Sequence, residues 1–270
     1  MAQPYRFQLL APLEAPAKGV FDRSTNDEQL YRHYLTSMQR LRGSAYLADQ
    51  AIQPWELDDD GRFCMRGDKR SWHFLLVDGS DEVIGCARYL VHPSTVNFEQ
   101  LRVRHTPIAK DPAWSQRLRL AVEKDLRSVR EEGFSFVEAG GWALKEEWRG
   151  TRAALEILVA SFALGHLWGG CLGYCMATVR HGSSSILRRI GGASFAVEGE
   201  AIPPYMDPQY GCRMELLKFD SRSPVERFAL LISQLKSKLT GAVVVKDGAT
   251  REWSMVSGEM GWISALPSLA

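Results

Sequence analysis

Along residues 27–49 the apolar positions Leu30, Tyr34, Met38, Leu41 and Ala45 recur every three or four residues. That is the period of one buried helix face, and Thr25 or Asn26 stands where its N-cap is needed. Residues 54–70 are polar and acidic and read as a loop. The pattern then shortens. Runs at 73–77 and 83–91 flank Asp78-Gly79-Ser80-Asp81, which predicts a β-hairpin. Helical spacing returns over 112–132 through Trp114, Leu118, Ala121 or Val122, Leu126 and Val129, and Gly133 ends it. A strand over 134–143, an apolar helix over 149–168 and a strand over 174–179 follow. A short helix over 183–190 has Ser183 as its cap and Gly191-Gly192 as its stop. A strand over 212–219 and a helix over 224–239 complete the pattern. Residues 1–25 are Pro-rich and read as an irregular extension along the surface. The short apolar runs of the last thirty residues match neither period.

This alternation of helices and strands predicts an α/β (α+β) sandwich on a mixed sheet. One domain is expected over 26–222, preceded by an N-terminal extension (1–25) and followed by a C-terminal helical appendage (223–270). The 270 residues, 45% hydrophobic, are enough for a sizeable core. A net charge of +1 gives no reason to expect a nucleic-acid or membrane-surface protein. The longest apolar stretch, 153–168, carries Glu156 and His166 and is too short for a confident membrane span. No uninterrupted signal-like segment opens the chain, and its five cysteines are scattered. The reading is therefore a cytoplasmic protein without a disulfide framework. Cys171 and Cys175 have no companion pair and the histidines no ligand spacing, so no metal is expected.

The chemistry concentrates between residues 136 and 155. A strand carrying Glu138 leads through Trp142 and Ala143 to a turn and a helix that begins Arg149-Gly150-Thr151-Arg152-Ala153-Ala154. The first N–H groups of such a helix are unsatisfied and attract an anion, and Arg149 and Arg152 add charge there. Ordinary capping would explain the same residues. Glu138 shares a strand face with Phe134 and Phe136, so partial desolvation would raise its pKa towards that of a useful base. Otherwise it is simply paired with an arginine such as Arg88. Arg42 on an amphipathic helix and Arg88 within a strand are unusual places for charge, and a buried network with Asp58 or Asp60 accounts for both.

The segment at 149–154 resembles the pyrophosphate-binding loop of GNAT acyltransferases, with Arg149, Gly150 and Ala154 matching and Arg152 standing where a second glycine is usual. A wider resemblance is to the autoinducer (acyl-homoserine-lactone) synthases and the related long-chain N-acyl amino acid synthases. It runs over about residues 30–200, through Arg42-Gly43-Ser44-Ala45-Tyr46, Trp55-Glu56-Leu57-Asp58-Asp59-Asp60, His73-Phe74-Leu75, Gly85-Cys86-Ala87-Arg88-Tyr89-Leu90 and Val137-Glu138. Ala177-Thr178-Val179 and Ile186–Gly192 resemble the last strand–helix unit of that group. Where autoinducer synthases carry an arginine after the glutamate, this chain has Gly141, which speaks against homoserine-lactone synthesis.

The resemblance implies a GNAT-like, mostly antiparallel sheet with splayed central strands flanked by helices. It implies an N-acyltransferase moving a medium or long acyl chain from acyl carrier protein or coenzyme A to a small amine, with no permanently bound cofactor. Glu138 would be the base, and backbone N–H groups near Trp142 and Ala143 would hold the carbonyl oxygen. Arg149, Gly150, Thr151, Arg152 and Ala154 would bind the donor phosphate. Arg42, Tyr46, Trp55, Asp58, Asp60 and Arg88 would shape the acceptor side. The acidic loop at 56–60 would bind a cationic amine or orient Arg42 and Arg88. His181 is a second candidate base, though a lone histidine at a strand end is more often a capping or surface residue. Tyr205 or Tyr210 could cover the acyl chain or protonate the leaving thiolate, though ordinary loop packing is the more frequent role of such residues. Two features favour a carrier-protein donor: Arg152 would crowd a pyrophosphate, and the basic residues between Arg117 and Arg189 would steer an acidic protein. The rival expectation is a GNAT-fold protein without catalysis that binds an acyl ligand or a partner.

Overall fold

The computed structural model describes residues 4–16, 20–248 and 251–253. In chain order, β1 (Tyr5–Leu10), β2 (Glu14–Pro16) and β3 (Arg23–Asn26) precede α1 (Glu28–Ala48). The hairpin β4 (Trp72–Asp78) and β5 (Val83–His92) comes next, followed by α2 (Ser115–Glu132), β6 (Ser135–Leu144), α3 (Arg152–Leu167), β7 (Cys171–Thr178) and α4 (Ser183–Arg189). Four short strands, β8 (Ala193–Ser194), β9 (Ala196–Val197), β10 (Glu200–Ala201) and β11 (Tyr205–Asp207), lead to β12 (Cys212–Asp220). The chain continues into α5 (Ala229–Thr240), β13 (Val243–Lys246) and β14 (Arg251–Trp253).

One ten-stranded sheet organises the molecule, in the order β11-β12-β7-β6-β5-β4-β1-β13-β3, with β8 added on β12. It is mixed and mostly antiparallel; β6–β7, β1–β13 and β13–β3 are the parallel pairs. Helices α1 and α2 cover one face, and α3 with α5 the other. The α1 stripe of Tyr31, Tyr34, Leu35, Met38, Leu41 and Ala45 is buried against Leu75, Val77, Cys86 and Ala143, as its period requires. Helix α3 is apolar on most of its surface because the sheet takes one side and α5 another. Each fully buried Leu, Ile or Phe in these layers stabilises the fold by about 1.5–3 kcal/mol.

Several sequence expectations change. The cap of α1 is Asp27, whose side chain accepts from the Leu30 N–H, not Thr25 or Asn26. Ser183 is the first residue of α4, and Gly182, at φ 73°, precedes it. Within the expected N-terminal extension, Tyr5–Leu10 do not run along the surface: β1 lies between β4 and β13 in the sheet. Its residues are buried at nearly every position, so no alternation marked it as a strand. The C-terminal segment is likewise no separate appendage where it is described. Helix α5 packs on α3, and β13 slots between β1 and β3. The apolar run Val243–Trp262 lies outside the described residues beyond 253.

The sheet opens at its centre. Strands β6 and β7 pair from Ser135 with Cys171 to Ala139 with Cys175 and then part, β6 staying with β5 and β7 with β12. On the β5 side the ladder skips Gly141 and Trp142, a bulge that turns β6 away. Gly141 sits at φ 64°, and a Cβ there would stand 3.0 Å from the Arg88 Cβ, so only glycine fits.

Candidate active site

The V between β6 and β7 opens into a cavity of about 440 Å³. Glu138 to Leu144 of β6 form one wall and Cys175 to Thr178 of β7 the other; the end of α1 and the start of α3 frame the mouth. A smaller apolar pouch of about 70 Å³ lies on the α3 side of the sheet, lined by Phe74, Tyr89, Ile157, Phe162 and Phe219. Arg88, Ala139, Gly140, Trp142, Cys175 and Leu187 border both spaces, so the two meet at the parting of the strands.

Glu138 is buried and borders the cavity. One carboxylate oxygen accepts the Arg102 backbone N–H at 2.8 Å, and the other lies 2.9 Å from His92 Nε2. His92 ends β5 two positions past Leu90, the residue in register with Glu138, so the imidazole reaches the carboxylate from the same sheet face. The pairing with Arg88 anticipated from sequence is replaced by this pairing with His92. Trp142 and Ala143 also line the cavity. Ala143 is in register with Cys86 in the β5 ladder, whereas Trp142 lies at the bulge, outside both ladders.

At the mouth, Gly150 adopts φ 71° with open space where a side chain would be. Thr151 occupies the N-cap of α3 but donates its hydroxyl to the Trp148 carbonyl, leaving the first-turn N–H groups uncapped by a side chain. Arg149, Gly150, Thr151 and Ala154 all border the cavity. Arg152 does not. It folds back along α3 to Glu156, a fully buried carboxylate that also accepts from Lys238 and Tyr5. Arg152 therefore neither crowds nor contacts the space in front of α3, which corrects its assignment to phosphate binding.

The expected acceptor side divides. Tyr46 and Arg88 border the cavity. Arg42 is fully buried behind it, with a two-pronged bond to Asp68 (3.1 and 2.5 Å) and a bond to the Phe63 carbonyl. The buried network therefore runs through Asp68, not Asp58 or Asp60. Burial alone would raise the Asp68 carboxyl, but the Arg42 guanidinium outweighs it and holds Asp68 below the usual carboxylate range. Asp58 and Asp60 instead pair with Arg62, and Asp60 also with Arg40, on an exposed loop. Trp55 is 80% exposed and borders neither space. These three leave the acceptor side.

Arg88 is buried like Arg42 but partnered differently. Its Nη1 donates to the Arg66 carbonyl at 3.3 Å, and its Nε has no partner. Burial, followed by the nearby Arg102 cation, pushes Arg88 below the ordinary guanidinium range. Arg102, which sequence reasoning missed, donates to the Tyr210 hydroxyl, and both residues border the cavity. His92, Arg102 and Asp68 lie outside every motif used above; a histidine ending a mostly apolar strand was the one available signal. Tyr205 is buried in the cluster around α2, away from the cavity lining. The side chain of His181 lies outside the described residues. On the basic face of α2, Arg117 pairs with Glu198 and Glu200 and Arg119 with Glu99 and Glu123, whereas Arg130 bonds the Ser94 and Val96 carbonyls. Among the described residues, no helix is long and apolar enough to cross a membrane.

No family model and no curated protein sequence matches the chain. Solved structures do. BjaI, a CoA-dependent acyl-homoserine lactone synthase solved with SAM and isopentyl-CoA, superposes with a TM-score of 0.51 at 12% identity, over 91% of this chain and 97% of that one. The chain has the GNAT-like fold. TofI, in a ternary complex with an inhibitor and MTA, matches with a TM-score of 0.48 at 16% identity, over 80% of this chain and 91% of that one. FeeM, an N-acyl amino acid synthase from uncultured soil microbes, matches at 0.44 and 13%, over 71% and 86%. The splayed, mostly antiparallel sheet anticipated from the resemblance is the one observed.

Proposed function

We propose that this chain is an N-acyltransferase that moves an acyl group from a phosphopantetheine thioester to an amine bearing an anionic group. The observation that carries the reading is a buried carboxylate, Glu138, facing a cavity between parted strands whose mouth is the uncapped start of α3. The donor arm would lie between β6 and β7 with its phosphate at Arg149 and the Gly150–Thr151 turn. The acyl chain would continue into the apolar pouch, which holds on the order of five to seven water-sized groups. Such room suits a medium chain better than a long one.

An amine attacks a thioester only when neutral, so a proton must leave it first. Glu138 takes that proton, directly or through a water, while His92 and the Arg102 N–H hold both carboxylate oxygens in place. The amine nitrogen then bonds to the thioester carbon, and the Trp142 N–H at the bulge stabilises the developing oxyanion. Collapse breaks the carbon–sulfur bond; the proton shed by the newly bonded nitrogen ends on the departing thiolate, and Glu138 returns the proton it took first to solvent. The anionic group of the acceptor follows from Arg88 and Arg102, two cavity-lining guanidiniums bonded to a carbonyl and a hydroxyl rather than to a carboxylate. An acceptor carboxylate would complete that pairing, so the acceptor class is that of amino acids.

Incubation with acyl-CoA and acyl-carrier-protein donors across a panel of amino acids and uncharged amines tests this, read by thiol release and amide mass. The expected result is amide formation with carboxylate-bearing acceptors, abolished by Glu138→Gln. Donor binding without amide from any acceptor would leave the rival reading of a catalytically silent acyl-binding protein.

A further inference from the structure

The end of α1 approaches the mouth of the cavity opposite α3. Arg149 Nη1 lies 2.8 Å from Asp49 Oδ1. Arg180 at the end of β7 donates to the Gln50 carbonyl at 3.2 Å and to the Gly211 carbonyl at 2.8 Å. Gln50 takes a left-handed conformation (φ 54°), and Ala51 donates back to the Tyr46 carbonyl at 2.8 Å. The chain thus turns sharply after α1 and presents Asp49 to the cavity, which Asp49, Arg149 and Arg180 all border.

Asp49 sits badly for its own helix. A carboxylate at a helix C-terminus meets the negative end of the dipole, at a cost of a few tenths of a kcal/mol to about 1 kcal/mol. Across the mouth its surroundings are the reverse: the Arg149 guanidinium and the uncapped, positive start of α3. That is the charge environment of a phosphate. We infer that Asp49 is an internal stand-in for the donor's phosphate: it occupies Arg149 in the empty protein and must yield when a phosphate-bearing donor arm enters. The inference rests on the donor placement proposed above, and it makes Asp49 a determinant of donor affinity through competition.

The ion pair is part-exposed, at 40% for Arg149 and 31% for Asp49, so it is weak enough to exchange. Releasing a pair worth about 1 kcal/mol corresponds to about a fivefold change in affinity. Calorimetric titration of the full chain with inorganic pyrophosphate, coenzyme A and 4′-phosphopantetheine tests this without any turnover. Asp49→Asn, which keeps the side-chain shape, should bind coenzyme A and pyrophosphate about fivefold more tightly than the wild type. Asp49→Ser should do the same, and Arg149→Ala should weaken both. The 4′-phosphopantetheine arm shows whether one phosphate suffices. Unchanged or weaker binding in both Asp49 variants overturns the inference, as does an absence of binding to wild type and variants alike. Tighter binding in the Asp49 variants with no amide formed from any donor would uphold the stand-in and sink the acyl-transfer reading. Amide formation by the wild type with no change in donor affinity on Asp49→Asn would do the opposite.

Discussion

Glu138 and Glu156 are both buried carboxylates, but one borders a cavity and the other is enclosed by cations. Glu156 accepts from Lys238, Arg152 and Tyr5, two of them cations, and ties α3 to α5 and β1. Its burial alone would raise its pKa, but the Lys238 and Arg152 bonds outweigh that and hold it below the ordinary range. Glu138 has one imidazole, one backbone N–H and a cavity in front of it. Arg42 and Arg88 repeat the contrast with the sign reversed: the Nε of each is unpartnered, but one is clamped by the Asp68 carboxylate and the other bonds a backbone carbonyl at the cavity wall. In each pair, the member that meets a full opposite charge ties the fold together, and the member that does not borders the cavity.

The largest expected effect tests the first pair. Glu138→Gln should lower amide formation about 10²- to 10⁴-fold with a circular dichroism spectrum unchanged, the range typical of losing a positioned general base. A loss under tenfold would place Glu138 with the structural carboxylates. In the second pair, Arg42→Met strands the buried Asp68 charge and should cost about 3–5 kcal/mol in urea unfolding. Arg88→Met should leave stability nearly unchanged and raise the acceptor KM about tenfold. Equal unfolding penalties for the two would erase the distinction.

A third outcome concerns the floor of the same network. His73 is fully buried, 2.8 Å from the Asp68 carbonyl, and burial pushes its pKa down from 6.5 to about 4. The unfolded chain therefore binds a proton that the native state refuses. Stability is full above pH 6.5 and falls as pH drops towards 4, by about 3 kcal/mol across that window. Urea midpoints at pH 7, 5.5 and 4.5 measure the slope, which His73→Gln should flatten. Glu156→Gln should cost less than Arg42→Met, about 2 kcal/mol, because Lys238 and Arg152 reach solvent once released.

Much of the fold was legible because local periods reported it. The α1 stripe, the β4–β5 hairpin, the Gly133 stop of α2 and the β6–α3 unit each carry their signal within twenty residues or so. Glu138, Trp142, Arg149 and Gly150 were legible for the same reason, being consecutive features of one strand–turn–helix. Strands β1 and β13 were not. They are short and buried on both faces, and they pair with residues tens to hundreds of positions away, so their neighbours in sequence say nothing of them. The acidic loop misled because spacing cannot distinguish Asp58 or Asp60 from Asp68, whereas the path of the loop can.

The sequence by itself determined the layered α/β class, the strand–turn–helix whose uncapped start borders the cavity and the carboxylate on its strand, since each follows from nearest-neighbour sterics and hydrophobic period. Only the tertiary structure decided which charges are satisfied. It took Arg152 away from the cavity to Glu156, gave Arg42 to Asp68, brought His92 and Arg102 to Glu138, and gave Arg88 a backbone carbonyl instead of a carboxylate. Ion pairing acts across a few ångströms of space regardless of chain distance, and burial sets its strength. A pairing pattern is therefore a property of the packed layers rather than of any segment within them.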